Sequence, residues 1–122
     1  MDDNTNGNST EEKMYTEYAN NVHFEPSAWD LKIIFGQLDQ SSGKPDVDWH
    51  TAVTLPWPQV KLLAYYLQVA LFSYETENGK INIPPGVKPQ AQKLSDELKD
   101  NKMAQKVAAF VEDLRKRFIE DF

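Results

Sequence analysis

The chain has 122 residues, a formal net charge of −6, 40% hydrophobic and 26% charged residues, and no cysteine. That length suits one domain with a single core. The acidic balance argues against nucleic acid or an anionic membrane as partner, and the lack of any thiol excludes disulfides, cysteine catalysis and cysteine-ligated metal.

Residues 1–14 are rich in Asp, Asn, Thr and Glu and almost without aliphatic side chains. Such a segment buries too little apolar surface to offset its ordering entropy, so it is expected to be a disordered acidic tail. The opening MDDNTNGNSTEEK carries acids where a secretory signal needs a basic patch and an apolar core. The cytoplasm is therefore the expected location.

From Tyr15 onward the pattern changes to period two. Tyr18, Val22 and Phe24 share one parity and Trp29, Leu31, Ile33 and Phe35 another, with Glu25-Pro26-Ser27-Ala28 between them. This predicts a β-hairpin whose turn sets Phe24 opposite Trp29, Val22 opposite Leu31, Asn20 opposite Ile33 and Tyr18 opposite Phe35. After the loop-forming DQSSGKPD, a third strand is expected in VDWHTAVTL, with Val47, Trp49, Thr51, Val53 and Leu55 on one face. The other face of the sheet would carry Asn21, His23, Asp30, Lys32, Asp48, His50 and Thr54. Together these strands read as a three-stranded antiparallel meander.

Pro56 and Pro58 mark the change from strand to helix. Residues 60–74 hold only three clearly polar side chains, Lys61, Gln68 and Ser73, so the helix is apolar nearly all round. Leu63, Leu67, Ala70 and Tyr74 are the expected stripe against the sheet. The run is 15 residues long, short of the roughly 20 needed to span a membrane. Asn78-Gly79 supplies a helix stop, and INIPPGVKP reads as an extended connection.

The remainder is charged and helix-favouring. Leu94 and Leu98, then Met103, Val107, Phe110, Val111, Leu114 and Phe118, recur at three and four, which predicts two helices broken near Asp100-Asn101. Arg115, Lys116 and Arg117 sit among Glu112, Asp113, Glu120 and Asp121, as on a solvated helix face. The fold class is thus α+β: a three-stranded antiparallel meander, a long apolar helix, and additional C-terminal helices. The expected organisation is a tail over residues 1–14, a β-β-β-α module over 15–84, and a helical extension over 85–122.

The pieces YANNVHF, WDLKIIFGQLD, TLPWPQVKLLAYYLQ and SYETENGKINIP, in that order, resemble the small bacterial and archaeal proteins grouped as domain of unknown function 3467. Tyr74-Glu75, Gly79 and Ile81 fall in matching places at the helix end. The resemblance covers residues 18–84 and implies a strand-strand-strand-helix module. It implies no activity and no catalytic residues, and it leaves the tail and the C-terminal region outside.

No residues point to catalysis. The serines have no elbow motif, no glycine-rich phosphate cradle follows a strand, and the carboxylates lie mainly in charged, solvated segments. His23 and His50 would sit on outer strands about 10 Å apart, too far to share an ion, so neither a metal nor a cofactor is expected.

The excess apolar surface of the helix carries the functional expectation instead. Trp57, Leu62, Tyr66, Val69, Leu71 and Phe72 are the candidate interface, with Trp57, clamped in LPWP, the best single anchor. The implied function is a non-enzymatic interaction module or small homo-oligomeric subunit, self-associated as a dimer or higher even oligomer and binding an undefined protein partner. The alternative is a chaperone-like binder of extended polypeptide, which the export chaperone SecB resembles in outline only.

Overall fold

A computed structural model describes residues 14–39, 41, 43 and 45–120. The expected tail therefore lies outside the described residues except for Met14. Strands β1 (Asn21–Pro26), β2 (Asp30–Asp39) and β3 (Asp46–Pro56) are followed by helix α1 (Trp57–Asn78), a single 3₁₀ turn (Pro85–Val87) and helix α2 (Lys102–Glu120). The fold is α+β, with the meander order β1-β2-β3. The chain divides into two compact units, residues 1–67 and 68–122.

In the first unit the hairpin forms in a different register from the one expected. Phe24 pairs with Ile33, Val22 with Phe35 and Pro26 with Leu31, so each β1 residue lies four positions further along β2 than expected. The cause is Ser27. Its Oγ accepts hydrogen bonds from the Trp29 and Asp30 amides, both at 3.1 Å, and donates to the Asp30 carboxylate at 2.9 Å. The Ser27 amide closes the turn on the Asp30 carbonyl at 2.8 Å. A serine that satisfies its own turn amides fixes the bend after Pro26 rather than around it. Trp29, expected to pack on the sheet, is consequently at the turn tip and 83% exposed.

The β2–β3 ladder contains a bulge. Phe35 pairs with Thr51 but Gly36 pairs with Trp49, which leaves His50 as the extra residue. Because strand side chains alternate, one inserted residue sends everything before it to the opposite face. Thr51, Val53 and Leu55 stay with Ile33 and Leu31, as expected. Val47 and Trp49 do not, and they join His23 and Ile34 on the other face. The His23 and Trp49 rings lie 6.0 Å apart, as that placement requires.

Leu31 and Ile33, on the central strand, are the buried hydrophobic side chains among the described residues. Around them Val22, Phe24 and Val53 remain exposed on the same sheet face.

Helix α1 begins at Trp57 with Pro58 in its first turn, where a missing N–H costs nothing. Its end is tightly made within the second unit. Gly79 takes a left-handed φ of 88° and donates to the Glu75 carbonyl at 3.0 Å. The Glu75 carboxylate then accepts the Ile81 amide at 2.9 Å, turning the chain back along the helix end.

Further along the second unit, the first of the two expected C-terminal helices is absent: residues 96–100 form turns. Two leucines, Leu94 and Leu98, give too short an apolar stripe to offset helix nucleation. The second is present. Asn101 caps it through its Oδ1, which accepts the Ala104 amide at 3.0 Å.

Candidate functional site

No residue of the 22-residue helix α1 is buried. Leu63 and Leu67, expected to close the sheet, are 37% and 53% exposed, and Tyr74, in the second unit, is 55% exposed. The apolar side chains are spread round the whole circumference and no single polar face competes with them.

The six candidate interface residues separate into three environments. Trp57 lies beside the hairpin turn in the first unit, where its Nε1 donates to the Ser27 carbonyl at 3.0 Å. Part of its ring is thereby committed to the fold, and 39% remains exposed. Leu62, Tyr66 and Val69, spaced at four and three, form one stripe along α1, and all are exposed. Tyr65 and Tyr66 meet edge to face with ring centroids 5.2 Å apart. Leu71 and Phe72 lie elsewhere on the circumference. In the second unit they line a groove of about 330 Å³ with Gln68, Ile81 and Ile83.

The opposite sheet face carries a second apolar cluster that the strand pattern alone does not predict. Trp49 crosses directly over Gly36, with Val47 alongside. A signal for it was present in the sequence, since a glycine inside an otherwise apolar strand marks a bulge or a close approach.

The two histidines are held apart by this geometry. His23 lies against Trp49 and has Nε2 4.0 Å from Glu25 Oε2. His50 Nε2 is 3.0 Å from the Tyr18 carbonyl and Nδ1 is 2.7 Å from Thr51 Oγ1. A carbonyl only accepts, so Nε2 is the donor in that bond. Among the described residues, no group of three or more His, Asp or Glu side chains is placed to hold a metal ion. Nor is any helix among them long and apolar enough to cross a membrane.

In the second unit, α2 bears one strong ion pair. Arg115 donates through Nε and Nη2 to the two carboxylate oxygens of Glu112, at 2.9 and 2.8 Å. This two-pronged bond holds the Glu112 carboxyl below its ordinary range, and the same bond raises Arg115. Beside it runs a groove of about 460 Å³ between α2 and residues 90–101, lined by Leu94, Leu98, Ala104 and Ala108.

Residues 2–83 match the family described as "Protein of unknown function (DUF3467)". The chain belongs to that family. The match takes in the sheet, α1 and its Glu75–Ile81 closure, and it starts well before residue 18, so the acidic N-terminal stretch lies inside the family region after all. Helix α2 lies outside it. No curated protein and no solved structure matches the chain.

Proposed function

We propose that this member of the DUF3467 family is a non-enzymatic protein–protein interaction module that works as a homo-oligomer. The observation that carries the reading is α1. Leu62, Tyr66 and Val69 on one stripe, Leu63 and Leu67 on another, and Leu71 and Phe72, which face about 100° apart, are all exposed. Exposed apolar surface costs about 25 cal/mol for each Å² that a partner could bury. A contiguous patch rimmed by polar residues is the usual mark of an interface. The sheet face around Leu31 and Ile33, where Val22, Phe24 and Val53 are exposed, is a further apolar surface. A second copy supplies cover that is automatically self-complementary about a two-fold axis.

Light scattering of the full chain at micromolar concentration tests this. The expected result is twice the 14.0 kDa chain mass, or a higher even multiple. Leu62→Asp and Tyr66→Asp should each shift the mass toward the monomer while circular dichroism holds. A wild-type chain that stays monomeric, with α1 amides protected from hydrogen exchange in that monomer, would overturn the reading.

A further inference from the structure

Helix α2 presents two different faces within its own unit. Ala104, Ala108, Glu112, Arg115 and Ile119 are half-buried. The larger apolar side chains are more exposed: Met103, Val107, Phe110 and Leu114 are 73%, 60%, 61% and 48% exposed, with Met103 and Val107 also bordering the groove toward residues 90–101. The two sets are centred about 130° apart round the helix axis. What the chain covers most is the small-residue side with its ion pair, and the spaced hydrophobic row stays largely accessible.

That row repeats at four, three and four, the spacing of a coiled-coil seam. Beside it, on the edge away from the covered face, stand Lys106 and Asp113, one heptad apart. We propose that α2 pairs antiparallel with α2 of a second copy. In the register we infer, Val107 packs against Phe110 of the partner and Met103 against its Leu114. Lys106 then meets Asp113 of the partner, twice by symmetry. The proposal rests on the reading that the chain self-associates, and names where.

Charge selects this arrangement over its neighbours. Sliding the pair one heptad toward the C-terminus would bury Arg117 against Val107 and oppose Asp113 to its own copy. Sliding it one heptad the other way would oppose Lys106 to its own copy. A parallel pair would place Lys106 beside Val111 and Asp113 beside Phe118, charge against hydrocarbon. Only the chosen register gives opposite charges across the flank and apolar layers between. Asp113 already pairs with Arg117 at 3.1 Å, but those side chains are 68% and 62% exposed. Such a solvated pair contributes little and accommodates a third partner readily.

Charge reversal on the full chain is the test. Lys106→Asp and Asp113→Lys should each weaken the dimer roughly tenfold by dilution light scattering, since each turns two attractions into repulsions. The double variant K106D/D113K should restore the wild-type dissociation constant. Because the natural chain has no cysteine, a second readout is clean. A mixture of Val107→Cys and Phe110→Cys chains, treated with a short thiol cross-linker, should give far more cross-linked dimer than either alone. Failure of the double variant to recover, or efficient cross-linking of Val107→Cys alone, would overturn the pairing. A wild-type dimer indifferent to all three charge variants would overturn it too, while leaving self-association through α1 standing. A wild-type monomer would remove both.

Discussion

A Cβ built on Gly36 would lie 2.7 Å from Cε3 of Trp49. It would also lie 2.8 Å from Val47 Cγ1 and 2.9 Å from the Asp48 carbonyl oxygen. Glycine is thus the floor on which the bulge brings Trp49 across the sheet. Gly36→Ala should destabilise the chain by about 1–3 kcal/mol, the usual cost of forcing an extra carbon into a packed site. Tryptophan fluorescence during urea unfolding would read both the lower midpoint and the altered surroundings of Trp49. Combining it with Trp49→Ala should recover only part of the loss, because the Asp48 carbonyl is backbone and cannot be trimmed away.

The hairpin turn depends on one hydroxyl. Ser27 Oγ serves two amides and the Asp30 carboxylate, and its carbonyl receives Trp57. Ser27→Ala removes the first set and keeps the second, at an expected cost of about 1 kcal/mol for a net hydrogen-bonding loss in an exposed turn. Trp57→Phe removes the second and keeps the first. Chemical denaturation of both and of the double variant would show near-additive losses if the turn and the helix start are fastened independently.

The left-handed Gly79 fixes the end of α1. At a φ of 88° a side chain is strained, so Gly79→Ala should cost about 1 kcal/mol, and Gly79→Asn less, since asparagine tolerates that region. Glu75→Gln retains the shape but weakens the bond to the Ile81 amide. Amide exchange at Ile81 should quicken in both Gly79→Ala and Glu75→Gln, and in Glu75→Gln without loss at the start of the helix.

How far the fold could be read from sequence follows from what period two can and cannot see. Strand, strand, strand and helix were all legible, because alternation and the proline junction each have a direct local cause. A four-residue slip of the hairpin keeps parity, so the apolar pattern scores the expected and observed registers almost alike; only the hydroxyl of Ser27 tells them apart. The bulge at His50 is the opposite case. It inserts an odd residue, and the strand pattern that correctly placed Val53 and Leu55 necessarily misplaced Val47 and Trp49. Gly36 was the local clue. The exposed candidates on α1 were legible as apolar residues, but their division among the Trp57 contact, the Tyr66 stripe and the Phe72 groove depends on how the chain turns at Ser27 and Gly79. No composition reports that.

Acid should loosen α2 at a defined place. The Arg115 guanidinium bonded to Glu112 lowers the Glu112 carboxyl from its ordinary value, with Lys116 a lesser contributor. A carboxyl whose folded value is depressed contributes its stability fully above the unfolded value, and that contribution disappears as pH falls through the folded one. The pair should therefore hold at neutral pH and fail only below the ordinary glutamate range. Asp39 should behave alike for a separate reason, since its carboxylate accepts the Ser41 amide at 2.9 Å and is lowered by that bond. Carboxyl-detected NMR across an acid titration would place both midpoints below those of solvated acids. Arg115→Met should return Glu112 toward its ordinary value and leave Asp39 where it was. A Glu112 midpoint unmoved by that substitution would show that the guanidinium is not what holds the charge.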